Sequence, residues 1–186
     1  GLYDPRNDHD SCGVGFIARI DGVSRHVVVE QGIRILVNLE HRGALGGDKS
    51  TGDGAGLLLE IPDTFFRQVC PGDGLYLPPR GEYAAGMLFL PMDEALAGRC
   101  SAALERIAAA EGCPFLGWRE VPVDPSILGD LSGSTRPRIR QLFLGRGTQE
   151  GDAFERKLYV IRRLAEKEVA SWHDVDASQF YISSLS

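Results

Sequence analysis

The stretch SCGVGFIARI, residues 11–20, contains the sharpest change of character in the chain. The residues before Cys12, GLYDPRNDHDS, are polar and include Pro5. From Cys12 to Ile20 small and apolar residues dominate, so we predict a β-strand that opens with a thiol. The simplest interpretation is a removable leader, residues 1–11, followed by a nucleophile at Cys12.

The chemistry of cysteine explains why this position matters. A free thiol titrates near pH 8.5 and an α-amine near about 7.7–8.0, so an amino-terminal cysteine carries its own base. While the leader is attached, that amine is an amide and cannot accept a proton. The chain as written is therefore expected to be a precursor. Attack of the Cys12 sulfur on the carbonyl of Ser11 is one hypothesis for its processing.

Composition and charge exclude several classes of function. The chain has 186 residues, a net charge of −6 and no cluster of Lys and Arg, which argues against a nucleic-acid partner. No apolar run approaches the roughly 18 residues of a membrane span, and the leader lacks the features of a secretion signal. We expect a cytoplasmic protein without a membrane partner.

The cysteines and histidines do not predict a metal site. The four cysteines contain no C-x-x-C pair, and the four histidines show no metal-ligand spacing. Apart from Cys12, the cysteines are interpreted as reduced, small hydrophobic or boundary residues: Cys70, Cys100 and Cys113.

Strands and amphipathic helices alternate along the chain, which predicts an α+β fold. The predicted helices lie at about 25–41, from 62 onward, at 93–111, and from Asp152, which is predicted to cap the last one. The predicted strands are 12–20, 57–61, 84–90, 115–123, 139–144 and 180–185, and loops are predicted at 71–81 and 125–137. Because the sequence ends within an apolar strand, residues 12–186 are expected to be the first part of a longer domain.

Three motifs occur in order: CGVGF at 12–16, EHRGA at 40–44 and TGDGAG at 51–56. The third matches neither glycine-rich nucleotide-binding pattern and precedes a predicted strand instead of following one, which argues against a nucleotide site. Together with GLYDP near the start, HDSCGVGFIA, LEHRGA, TGDGAGLLLEIP and the final QFYISSLS, these motifs resemble the class II glutamine amidotransferase domain of glutamate synthase large (alpha) subunits.

The resemblance implies a fold and a reaction. The fold is the N-terminal-nucleophile hydrolase sandwich, in which two antiparallel sheets lie between helical layers. The reaction is hydrolysis of L-glutamine through a cysteine thioester, with the ammonia passing to 2-oxoglutarate in another domain. FMN and an iron-sulfur cluster are expected in the rest of the full-length protein, with no cofactor in this segment. The expected partners are the remaining synthase domains and a small electron-supplying subunit.

The resemblance also assigns roles to individual residues. Cys12 matches the nucleophile, and its freed amine the base, with Gly13 in a supporting role. Arg42 matches the arginine of the H-R-G motif, where it either lowers the thiol pKa or binds a helix end or carboxylate for structure; His41 is interpreted as structural. The loop residues Gly52, Asp53 and Gly54 are expected to shape the surroundings of the site.

The family's groups for the glutamine carboxylate, the oxyanion and the α-amine should follow Ser186, so the isolated chain is expected to be inactive. Its open apolar faces and strand edges are expected to favour self-association. Two alternatives remain open at this point. One is another amidohydrolase with an N-terminal cysteine, and the other is a non-catalytic binding or assembly module with the same fold.

Overall fold

The computed structural model describes residues 13–43, 51–52 and 54–186. The chain divides into two compact units. The first consists of Gly1–Glu60 with Pro125–Thr135, and the second of Ile61–Asp124 with Arg136–Ser186. The second unit therefore contains an interruption in sequence, because residues 125–135 belong to the first.

A four-stranded antiparallel sheet forms the centre of the second unit. Its strands are β1 (Tyr83–Leu90), β2 (Phe115–Glu120), β3 (Arg138–Gly145) and β4 (Tyr181–Leu185), in the order β2-β3-β1-β4. The strands predicted at 84–90, 115–123, 139–144 and 180–185 are confirmed with small shifts at their ends. Alternation along β1 places Leu88 and Leu90 on one face and Phe89 on the other.

Two long helices cover one face of this sheet: α3 (Glu94–Ala110) and α5 (Asp152–Ala170). The core between sheet and helices contains Leu88, Leu104, Leu142, Leu158 and Ile161, all fully buried. This arrangement confirms the α+β class. One sheet and one helical layer of the sandwich that the resemblance implies are thus present.

Two details of helix α5 differ from prediction. Gly151 occupies the N-cap, and Asp152 is the first helical residue, with no side-chain capping bond. The helical spacing predicts Leu164 on the inner face, yet Leu164 is 41% exposed and the next residue, Ala165, is fully buried, because neighbouring positions on a helix differ by about 100°. Asp93, by contrast, does cap α3, accepting a hydrogen bond from the Leu96 amide at 2.8 Å.

The other face of the sheet is covered in part by helix α2 (Asp63–Val69) and the segment after it. Phe66 packs edge-on against Phe143 with ring centroids 5.1 Å apart, and Cys70 and Leu75 complete this smaller core. Arg67 donates hydrogen bonds to Asp63 and to the carbonyl of Leu77, so the irregular segment is tied to the helix.

The first unit contains helix α1 (His26–Asn38), a 3-10 turn at Glu40–Arg42 and the six-residue helix α4 (Asp130–Thr135). The helix predicted at 25–41 is thus confirmed as a helix followed by a turn. The loop predicted at 125–137 contains α4 as well as a 3-10 turn at Pro125–Ile127, which the prediction missed.

Two predicted strands of the first unit are wrong over the described residues. Residues 13–19 run without a hydrogen-bonded strand partner in the described part of this unit, so they form no strand. The run Leu57–Leu58–Leu59 was expected to be buried, yet it forms no strand and Leu58 is 88% exposed. A continuous apolar run indicates burial only where a partner surface covers it.

Candidate functional site

The segment that follows Cys12 lies against helix α1. A methyl group on Gly13 would come within 2.8 Å of Cδ2 of Leu39, and one on Gly15 within 2.6 Å of Cγ2 of Ile35. Carbon atoms in van der Waals contact are about 3.5–4.0 Å apart, so a methyl group at either position would require a neighbouring atom to move. The backbone therefore lies close to the side chains of the helix at both glycines.

The partly covered stripe of α1 explains which residues make this contact. Val28, Val29, Gly32, Ile35, Leu36 and Leu39 are partly buried, whereas Ile33 and Val37 are at least half exposed. The helical spacing predicts a stripe of six apolar residues, namely Val29, Ile33 and Leu36 broadened by Ile35, Val37 and Leu39. The structure partly buries four of these and exposes Ile33 and Val37. Ile35 and Leu39 are four positions apart and therefore share one helix face.

Helix α1 ends next to the H-R-G motif. Leu39 forms its C-cap, and the 3-10 turn Glu40–Arg42 follows directly. Nδ1 of His41 lies 3.0 Å from the carbonyl oxygen of Asn38. Because a carbonyl only accepts, Nδ1 carries the proton and donates to it. This bond satisfies a carbonyl at the helix end, which supports the structural role predicted for His41.

The glycine-rich loop meets a distant segment of the same unit. The hydroxyl of Ser132, in α4, donates to the hydroxyl of Thr51 at 3.0 Å. A methyl group on Gly54 would meet no atom of the described residues within 4 Å, so packing there does not require glycine. Gly52, likewise predicted to shape the loop, is exposed and forms an isolated β-bridge.

Several predicted site residues lie outside the described part of the structure: Cys12, Asp53 and the side chain of Arg42. The structure does bring Gly13 beside Leu39, the residue that immediately precedes the turn containing Arg42. The sequence analysis missed Ser132, which no local pattern reveals. It also missed the role of Ile35 and Leu39, for which the spacing of Gly13 and Gly15 was an available signal.

The remaining cysteines are in environments that disfavour reaction. Cys70, Cys100 and Cys113 are reduced and fully buried. Burial raises the pKa of each of these thiols, which disfavours the reactive thiolate. Their predicted role as small hydrophobic residues is confirmed.

Among the described residues, no group of three or more His, Cys, Asp or Glu side chains is arranged to hold a metal ion. No helix within the same described ranges has the length and apolar character needed to span a membrane.

Comparison with known proteins identifies the family. The class-II glutamine amidotransferases match this chain over residues 12–186, and the chain therefore belongs to that family. Its fold is accordingly that of the N-terminal-nucleophile hydrolases, of which the antiparallel sheet and helices of the second unit form a part.

More specific similarity is to glutamate synthases. The chain is 41% identical over 188 residues to the glutamate synthase (NADPH) large chain of Bacillus subtilis, covering 100% of this chain and 12% of that protein. The identity to the corresponding protein of Azospirillum brasilense is 42%, over 99% of this chain and 12% of that protein. Ferredoxin-dependent glutamate synthase 1 of Arabidopsis thaliana is 38% identical, over 100% of this chain and 11% of that protein. The chain thus spans about an eighth of the length of these relatives.

Proposed function

We propose that this chain is the glutaminase part of a glutamate synthase. It hydrolyses L-glutamine to glutamate and ammonia, and the ammonia passes to 2-oxoglutarate in another part of the protein. The observation that carries the proposal is the family match, which begins at Cys12, the residue that the sequence predicts as nucleophile. The similarity to glutamate synthase large chains over the whole length supports it.

The proposed reaction uses two groups of Cys12. The thiol transfers its proton to the free α-amine, and the sulfur attacks the side-chain amide carbon of glutamine. The protonated α-amine passes this proton to the amide nitrogen, the C–N bond breaks, ammonia leaves, and a glutamyl thioester remains. Water adds to the thioester carbon, the C–S bond breaks, and glutamate and the thiol are released. These reaction steps require removal of residues 1–11, because only then is the α-amine of Cys12 free.

Two roles are open to Arg42. A guanidinium near Cys12 would stabilise the thiolate and lower the thiol pKa. Alternatively, Arg42 binds the end of α1 or a carboxylate and only holds the turn. Asp53 and the flanking glycines are proposed to shape the neighbouring loop.

The rest of the proposed activity belongs to other parts of the protein. FMN and an iron-sulfur cluster would serve the reductive step, with electrons supplied by a further domain, a small subunit or a protein donor. We propose that the chain by itself does not hydrolyse glutamine, and that the synthase acts in the cytoplasm.

A single substitution tests the proposed function in the complete synthase. Cys12→Ser should abolish glutamine-dependent glutamate formation while leaving ammonia-dependent formation intact, because added ammonia bypasses the glutaminase. Cys100→Ala is the matched control, since it removes a buried thiol from the core, and it should retain both activities. Full glutamine-dependent activity in Cys12→Ser would refute the proposal.

The amino terminus gives an independent test. Intact mass of the protein from its native source should correspond to a polypeptide that begins at Cys12. A protein that retains residues 1–11 and still hydrolyses glutamine would exclude the α-amine as base. If the leader is retained and no amide is hydrolysed, the non-catalytic module is the better description.

A further inference from the structure

Two steric contacts between the segment after Cys12 and helix α1 match in spacing. Gly13 meets Leu39, and Gly15 meets Ile35, so the segment runs antiparallel to the helix. Two residues of extended chain span about 6.6 Å, and four residues of α-helix about 6 Å. The distance between the two contacts is therefore nearly the same along the segment and along the helix.

The opposite side of the segment faces away from the helix. Val14 and Phe16 are 88% and 89% exposed, whereas Ile35 and Leu39 are partly buried. A shift of the segment by one residue would turn Val14 or Phe16 towards a helix face where even a methyl group lies within 2.6 Å of Cγ2 of Ile35. A single contact would allow the segment to slide along α1, whereas two contacts with matching spacing fix its register relative to the helix.

We infer that Ile35 and Leu39 are positioning residues for the glutaminase reaction. They hold the backbone that follows Cys12 at a fixed place along α1, and Leu39 is also the residue from which the Glu40–Arg42 turn departs. The same helix end would thereby set the placement of the nucleophile relative to the H-R-G turn. This inference rests on the proposed function of Cys12.

The two contacts differ in rigidity. Cγ2 of Ile35 is bonded directly to Cβ, and isoleucine in a helix is nearly confined to one χ1 rotamer, so this methyl group cannot move aside. The contact at Leu39 involves the two Cδ atoms at the end of a flexible side chain. Gly15→Ala should therefore displace the segment, whereas Leu39 can yield to Gly13→Ala by rotating.

The test uses the complete synthase and a compensating substitution. Gly15→Ala is expected to lower kcat for glutamine by about 10–100-fold with little change in KM, because displacement of a reacting group by 1 Å can cost about 100-fold. Ammonia-dependent turnover should not change. Ile35→Leu removes the Cγ2 methyl group, so Gly15→Ala/Ile35→Leu should recover most of the lost rate.

Labelling with a glutamine-mimicking diazoketone separates positioning from loss of folded protein. In Gly15→Ala the rate of Cys12 labelling should fall, while the endpoint stays at one label per chain. Gly72→Ala is the matched control, since its methyl group would meet no atom within 4 Å, and it should label at the normal rate.

The inference is wrong if Gly15→Ala reacts as fast as the unsubstituted protein, or if Ile35→Leu fails to restore the rate. If Gly15→Ala does not fold, Ile35→Ala tests the inference instead, because it removes the contact between Ile35 and Gly15 without creating a clash. It should slow labelling at an unchanged endpoint, and an unchanged rate overturns the inference. Failure of the proposed function has a different signature, namely full glutamine-dependent activity in Cys12→Ser.

Discussion

Ser132 donates a hydrogen bond to the hydroxyl of Thr51, with 3.0 Å between the two oxygens. The two residues are 81 positions apart in sequence, so this bond joins the glycine-rich loop to helix α4. Ser134, two positions further along the same helix, donates to the carbonyl of Leu131, at 2.8 Å, within its own helix. Of these two serines of α4, Ser132 therefore links the helix to the glycine-rich loop, whereas the bond of Ser134 is local.

Removal of the bond to Thr51 should impair the loop next to the proposed site. Ser132→Ala is expected to lower kcat/KM for glutamine by about 2–10-fold, since a hydrogen bond contributes about 0.5–1.5 kcal/mol net. Ser134→Ala serves as the control and should leave kcat/KM unchanged. Steady-state kinetics with glutamine and with ammonia decide the matter, and equal effects of the two variants would contradict the prediction.

The buried cysteines predict selective labelling. In the native chain iodoacetamide should modify Cys12 and spare Cys70, Cys100 and Cys113, because the latter are fully buried and burial raises the pKa of their thiols. Raising the pH from 7 to 9 should not change this pattern, since the raised pKa values keep the buried thiols protonated to higher pH. Peptide mapping by mass spectrometry gives the answer.

Unfolding provides the control for that experiment. In concentrated guanidinium chloride all four cysteines of the sequence should react. Modification of any of the three buried thiols in the native chain, at a rate close to that of Cys12, would show that the core opens readily.

The carboxylate of Asp63 should contribute to stability only above acidic pH. It accepts hydrogen bonds from Arg67, at 2.9 and 3.0 Å, and from the Tyr83 hydroxyl, at 2.9 Å. The bonds from Arg67 are the main reason that its pKa lies below the usual 3.8. Asp63→Asn should therefore lower the free energy of unfolding by about 1–2 kcal/mol at pH 7.

The pH dependence has a definite sign. Because the pKa of Asp63 is lower in the folded chain, its stabilisation is fully present above the unfolded value near 3.8 and disappears as the pH falls through the folded value. Urea unfolding at pH 7 and at pH 3 should show a smaller difference between Asp63→Asn and the unsubstituted chain at pH 3. A difference that grows on acidification would exclude this account.

Two glycines should respond in opposite ways to alanine. Gly147 has φ +61°, and a methyl group there would lie 2.4 Å from the carbonyl oxygen of Gly112. Gly147→Ala should therefore destabilise the chain by about 1–2 kcal/mol, the strain of one disfavoured backbone conformation. Gly98 is exposed within α3 with open space around it, and Gly98→Ala should stabilise by about 0.5–1 kcal/mol. Thermal unfolding measures both, and a stable Gly147→Ala would show that the turn relaxes at little cost.

The sequence predicted the second unit well because its periodicities are unambiguous. Leu104 and Ile107 recur at helical spacing, and Leu88 and Leu90 alternate with less buried neighbours, so each pattern admits one element type. In the first unit only helix α1 carries such a signal among the described residues. Leu57–Leu58–Leu59 has no period at all, and Asp130–Thr135 contains serine, threonine and glycine, which favour helices weakly.

The candidate site likewise contains features that the sequence predicts and features that it does not. Cys12 and the H-R-G turn were recognisable from motif order, and the spacing of Gly13 and Gly15 is compatible with a backbone that lies close to helix side chains. Ile35 was predicted to lie on the apolar stripe of α1, but its contact with Gly15 depends on the path of the segment after Cys12. The contact of Thr51 with Ser132 is likewise invisible in sequence, because it depends on tertiary packing alone.

The interruption of one unit by the other has a consequence for biosynthesis. Helix α4 belongs with residues near the amino terminus, yet it is translated only after β1, α3 and β2. At about 5–20 residues per second the nascent chain waits for several seconds with its first sixty or so residues lacking this piece. During that interval the bond between Ser132 and Thr51 cannot form, so the first unit is completed only after β1, α3 and β2 of the second have been synthesised.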